Sequence, residues 1–158
     1  MKAILRTCGG LALFGFLIFS ATATADAIRA VQMDPEMLAG INLPPEEQFI
    51  PPEDVLAGTH QLRGEVLHYG DQLIMEVYED EEATFRFGEP FHYDEFIMVL
   101  NGKLILTDAD DMTQEFIAGD SLVIPKGFTG TWQMLGNYRE LVVIEREAYE
   151  AAYGVEDE

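Results

Sequence analysis

From Leu62 onward the chain is written in short apolar or alternating runs cut by turn residues, and that texture leaves few folds open. "EVLHY", "QLIMEVY", "ATFRF", "EFIMVL", "KLILT", "EFIAG", "SLVIP", "GTWQML" and "ELVVIE" are each about strand length, and none carries a helical period. The segments between them, "YGD", "NG", "DADD", "AGD", "KG" and "GN", are turn chemistry. Many short strands at regular spacing imply an all-β chain folded as a small antiparallel barrel or sandwich. Asn101-Gly102, between "EFIMVL" and "KLILT", reads as a tight hairpin.

The two ends read differently. Lys2 and Arg6, the apolar run Leu11 to Phe19 and the small residues of "ATATADA" form a secretory leader over 1–25, and the apolar run is too short to span a bilayer. Residues 26–61 hold five of the seven prolines and form an N-terminal arm. Within it "DPEMLAG" and "PPEDVLAG" each predict one short helix, with proline in the first turn and glycine at the end. The arm is expected to pack on the domain surface without chemistry of its own, or to cross to a partner subunit. The barrel is expected over 62–146, followed by an acidic helix and tail over 147–158. Such a chain is periplasmic or secreted, with no membrane attachment once the leader is cleaved. Cleavage also removes Cys8, the single cysteine, and with it thiol catalysis, disulfides and zinc–thiolate sites.

Charge narrows the partners. A formal net charge of -20 repels phosphate backbones and anionic headgroups, which excludes nucleic acid as a partner class.

Two segments then carry a resemblance. Glu95-Phe-Ile-Met-Val-Leu-Asn-Gly102 matches the second half of one cupin signature, and Gly119-Asp-Ser-Leu-Val-Ile-Pro125-Lys-Gly127 matches the other up to its final histidine. Sixteen residues separate Gly102 from Gly119. The stretch from Leu62 to Arg146 therefore resembles a cupin, which implies a jelly-roll barrel around a pocket. "PKGFTGTW" (125–132) is similar to the branch with the ureidoglycine aminohydrolase cupin domain and the ethanolamine-utilisation cupins, where P-x-G-x-x-G-x-W recurs. That branch implies small nitrogenous or carboxylated metabolites as substrates. Cupins that bind metal do so through three histidines and a glutamate. Here the histidine positions hold Glu89, Phe91 and Gly130, and only Glu95 remains. The resemblance thus implies a pocket without a metal cofactor. A divalent metal held by Glu89, His92 and Glu95 is the alternative, although strand alternation turns His92 away from Glu95.

Glu95, Ile97 and Val99 share a face, so a carboxylate enters the barrel interior as candidate acid/base. Its structural alternative is a pair with Arg86 or Arg139. Gly130, Trp132 and Met134 also share a face, and a glycine at 130 is expected to clear space for the indole. Tyr93, Phe128, Trp132 and Met134 are the expected pocket walls, and Arg139 is the cation for an anionic group or else a partner for Glu140. The reading is a secreted cupin-domain protein that binds, and in one version transforms, a small organic metabolite, in a homodimer. Its rivals are a metal-dependent cupin enzyme (dioxygenase, isomerase or lyase) and a non-catalytic dimerisation module with the barrel filled by Trp132 and Met134.

Overall fold

The computed structural model describes residues 28–154. The expected leader lies outside them, as does the acidic tail beyond Gly154. Contacts divide the chain into two units, Met1–Val31 and Gln32–Glu158. Of the first, residues 28–31 are exposed and have no regular secondary structure. Among the described residues no helix is long and apolar enough to cross a membrane.

The second unit begins with helix α1 (Pro35–Leu38), capped by Asp34, whose carboxylate accepts from the Glu36 and Met37 amides. The other predicted helix is not there. "PPEDVLAG" makes one 3₁₀ turn (Pro52–Asp54) and then strand β1 (Val55–Gly58), because the run after the acidic turn pairs with β4 instead of coiling. Strands β2 (Arg63–Tyr69), β3 (Leu73–Asp80), β4 (Ala83–Phe87), β5 (Glu95–Asp108), β6 (Thr113–Ile117), β7 (Ser121–Ile124) and β8 (Gly130–Glu145) follow, and helix α2 (Arg146–Tyr153) closes the chain. Every strand pairing is antiparallel, as the texture implies.

Asn101-Gly102 does not make a hairpin. β5 runs straight through it with two register breaks, and both of its halves pair with β8, Val99 opposite Glu140 and Lys103 opposite Leu135. "GTWQML" and "ELVVIE" are likewise one strand, β8, with "GN" as a bulge. The turn chemistry is used for a corner. Gly102 takes φ +75 and Gly136 φ +68. A Cβ at Gly102 would lie 2.6 Å from the Gly136 and Leu135 carbonyl oxygens. The Asn101 amide donates to the Asn137 carbonyl at 2.6 Å and ties the two bulges together. A two-residue hairpin would have paired the halves of β5 with each other. Pairing each with the longer β8 satisfies more backbone groups and bends the sheet.

That corner folds the strands into two facing sheets. On one side of it β8 pairs with β4 and β5 pairs with β6; on the other β8 pairs with β3 and β5 with β7. Strand β7 is an edge strand with one buried face, Leu122 and Ile124, and not a doubly buried segment of wall. Ile97, Val99, Leu104, Leu106, Tyr138, Val142 and Ile144 form the inner layer. The arm adds Leu43 and Ile50, both buried, each contributing about 2 kcal/mol by burial. Ala148, Tyr149 and Ala152 of α2 cover the same core.

Candidate functional site

Inside the barrel is a cavity of about 470 Å³, within the range of small-molecule pockets. Its polar interior is built by strand register. On the inner face, successive rows across β3, β8 and β5 read Ile74–Ile144–Glu95, then Glu76–Val142–Ile97, then Tyr78–Glu140–Val99. One carboxyl stands in each of three consecutive rows, on three adjacent strands.

Two of these carboxyls have donors. Tyr78 donates to Glu76 at 2.6 Å, with a further bond from Tyr149 of α2. Tyr138 donates to Glu140 at 2.6 Å. Among the described residues no side chain donates to Glu95. Burial pushes the Glu95 carboxyl up to about 8, with repulsion from Glu140 and then Glu76 adding to it. Burial also pushes Glu140 up to about 7, against the Tyr138 bond that favours its charge. Glu76 is raised by burial as well, and the Tyr138 hydroxyl is raised by burial and by the neighbouring Glu140. The interior therefore holds exchangeable protons near neutral pH.

The opposite wall is aromatic. Phe87 and Phe91 lie 5.1 Å apart between ring centres, Phe87 lies 5.5 Å from Trp132, and Phe91 stacks nearly parallel to Trp132 at 6.4 Å. The loop carrying Phe91 is fixed to the 125–128 turn: Gly127 donates to the Phe91 carbonyl at 2.8 Å, and Phe91 to that of Phe128 at 3.0 Å. The Lys126 amide donates to Asp94 at 2.7 Å. At the cavity edge the arm supplies Glu46 to Phe49 and His60, so it lines the pocket as well as packing on the domain surface. The His60 ring packs edge-on to Phe85 at 4.7 Å. Its Nδ1 is hydrogen-bonded to Asp80, whose other oxygen accepts from the Gln61 and Glu81 amides at 2.7 and 2.8 Å. Assigned by its hydrogen-bond network, the Gln48 amide donates to His60 Nε2 at 3.1 Å. His60 is then the Nδ1–H tautomer, held from both sides.

Glu95, Tyr93, Trp132 and Met134 all line this cavity. Trp132 and Met134 do not fill it. Phe128 and Arg139 do not line it. Phe128 packs edge-on against Phe91 at 6.0 Å, behind the wall. Arg139 sits at odd parity on β8, facing outward, and pairs with Glu79 at 2.8 Å rather than with Glu140. Arg86 pairs with Asp54 at 2.8 Å, so neither arginine reaches Glu95. Glu89 and His92 are exposed in the β4–β5 loop, outside the cavity. Among the described residues no three His, Cys, Asp or Glu side chains are grouped to hold a metal.

Gly130 has a different reason from the one expected. Its φ is +154, and a Cβ would lie 2.1 Å from the Thr107 carbonyl oxygen of β5. The glycine permits close approach of two strands; it does not make room for Trp132. The same clash means that this backbone accepts no side chain where metal-binding cupins place their last histidine. With Glu89 and His92 outside the cavity as well, the residues present do not fit that ligand set.

Sequence reasoning missed Glu76, Glu140, Tyr78, Tyr138, Tyr149, His60 and Asp80. The signal for the two glutamates was the one that found Glu95, a carboxylate on an apolar strand at inward parity. The His60–Asp80 pair joins residues twenty positions apart and has no local signature.

An antiparallel jelly roll with an interior pocket is the architecture of a cupin, and the fold here is a cupin fold. Residues 86–139, about a third of the chain, match the EutQ-like cupin domain (Cupin_3). No curated protein matches the sequence. A protein of unknown function from Pseudomonas syringae pv. tomato, of the DUF861 family, has a TM-score of 0.57 at 18% identity, over 64% of this chain and 43% of that one. This chain thus spans less than half of that relative. The polyketide cyclase RemF of Streptomyces resistomycificus has a TM-score of 0.52 at 18% identity, over 76% of this chain and 80% of RemF. A putative ethanolamine utilization protein Q from Salmonella typhimurium is 28% identical over 53% of this chain and 68% of its own, with a TM-score of 0.47. What the first two share with this chain is the fold.

Proposed function

We propose that the barrel binds a small organic molecule without a metal ion, with Glu95 as the group that donates or accepts a proton to it. The observation that carries this reading is a cavity of about 470 Å³ into which Glu95 projects with no donor among the described residues. A buried carboxyl with no partner is costly in its ionised form, and a ligand that hydrogen-bonds to it recovers that cost. A group poised near neutral pH is also suited to acid/base work. The chain is proposed to act after export, on the strength of Lys2, Arg6 and the apolar run behind them; a natural protein that still begins at Met1 would refute that part.

Trp132 is the only tryptophan and lines the cavity, so its fluorescence reports occupancy. Titration with a panel of small amines, alcohols, carboxylates and amides is expected to give a saturable change for at least one compound, weakened in Glu95→Gln. If no compound on the panel does so, the barrel is a structural module and the binding reading falls.

We also propose a homodimer, formed through the outer face of the sheet. On the outer face Val123, Phe96, Val143 and Met75 lie in one row across β7, β5, β8 and β3, with Val123 and Phe96 exposed.

A further inference from the structure

The charge inventory of the cavity is one-sided. Its lining includes Glu76, Glu95 and Glu140 in the interior and Glu46, Glu47, Glu79 and Asp80 nearer the arm, but among the described residues no lysine or arginine. Arg86 is engaged elsewhere with Asp54 and Arg146 with Glu150, and Arg139 is held at the cavity edge by its pair with Glu79. Arg63 donates to the Leu43 carbonyl at 3.1 Å. An anionic ligand would oppose ionisation of these carboxyls and a neutral one would leave them protonated, whereas a cation favours their charged forms.

We propose that the ligand of this cavity is a small organic cation, a protonated amine carried on an apolar or aromatic body. This rests on the reading of the cavity as a binding pocket and names the chemistry it selects. The ammonium sits among the three carboxyls, where Glu95 is the open acceptor and Glu76 and Glu140 supply further negative charge. The body lies against Phe87, Phe91 and Trp132, whose ring faces also attract cations. A buried ammonium is tolerated only where it is paired and hydrogen-bonded, and this interior supplies both. Outside, the formal net charge of -20 raises the local concentration of cations and speeds their arrival.

Proton release follows. The groups facing Glu95 are Glu140 and Tyr138 from β8, Glu76 and Tyr78 from β3, Tyr93 beside it and Tyr149 from α2. The His60–Asp80 pair stands at the arm. All of these are acids, phenols or a histidine, and near neutrality the cavity without a ligand holds protons at Glu95 and Glu140. A bound ammonium favours the ionised forms and expels them.

The test uses the mature protein and three matched probes, benzylamine, benzyl alcohol and benzoate, with shorter alkyl homologues of each. Affinity is read by Trp132 fluorescence, and proton release by calorimetry at pH 7.5 in buffers of different ionisation enthalpy. The expected result is binding of the amine at least tenfold tighter than the alcohol, undetectable benzoate, and release of a substantial fraction of a proton with the amine alone. Glu95→Gln is expected to weaken the amine about tenfold, to reduce proton release and to weaken the alcohol less than the amine; Glu140→Gln repeats the test at a second carboxyl. Binding of alcohol or benzoate as tightly as the amine overturns the cation assignment and leaves the pocket standing. Amine binding without proton release, or unaffected by both variants, also overturns it, since the cation then sits elsewhere. If no amine of the series binds, the assignment is wrong, whatever the wider panel shows. Failure of that panel too removes the pocket itself.

Discussion

Replacing Glu95 by glutamine makes the protein more stable, and does so only as the pH rises. A carboxyl whose value moves from an ordinary 4.5 to about 8 on folding holds its proton more tightly in the folded state than in the unfolded one. Its effect on stability is absent below pH 4.5, grows as a penalty between 4.5 and 8, and levels off above 8. At about 1.4 kcal/mol per pH unit the full penalty is on the order of 5 kcal/mol, and at pH 7 about 3 kcal/mol. This is opposite in sign to the usual ion-paired carboxylate, which stabilises as pH rises. The variant keeps the shape, loses the charge and breaks no hydrogen bond to a described side chain. The assay is urea unfolding of both proteins at half-unit steps from pH 4.5 to 9, with urea preferred because guanidinium is itself a small organic cation. Taking the difference at each pH cancels the contribution of acidic residues that do not interact with Glu95, leaving its own effect and its coupling to Glu140 and Glu76. The variant should match the natural protein near pH 4.5, gain on it through pH 8 and hold a constant lead above that. A difference independent of pH, or a variant less stable at pH 8.5, would show that Glu95 is not held neutral by its surroundings.

Two further outcomes follow from the backbone and the outer face. Gly130→Ala places a Cβ 2.1 Å from the Thr107 carbonyl oxygen at φ +154 and should cost about 3 kcal/mol, lowering Tm by roughly 10 °C. Gly88→Ala, where a Cβ meets nothing within 4 Å, should change stability by about 0.5 kcal/mol or less; equal effects at both sites would refute the close-approach argument. Light scattering should give a dimer for the natural chain and a monomer for Phe96→Glu. Added salt should favour the dimer by screening two chains of formal charge -20 each; a monomer at tens of micromolar protein in moderate salt would dismiss the outer-face pairing.

Most of the fold and one corner of the site were legible before any coordinates. Strand length and turn chemistry are local properties, so the antiparallel strands and the shared faces of Glu95, Ile97 and Val99 and of Gly130, Trp132 and Met134 could be read from spacing, and the cupin resemblance turned those faces toward a pocket. What two segments do to each other could not. Asn101-Gly102 has the same turn propensity in a hairpin as in a bulge, and the choice went to the bulge because β8 was long enough to pair with both halves of β5. Arg139 carries a cation wherever it lies, but register put it outside with Glu79. Gly130 had the right identity for a reason visible only when Thr107 was in place.

The sequence by itself determined the class of fold, the acidic character and the presence of one carboxylate inside the barrel, because these depend on composition and on periods of two. Only the tertiary structure decided that Glu76 and Glu140 join Glu95 in successive rows, that tyrosines serve two of the three, that the arm brings His60 to Asp80, and that no lysine or arginine among the described residues enters the cavity. Those facts depend on the register between distant strands, which local pattern does not encode.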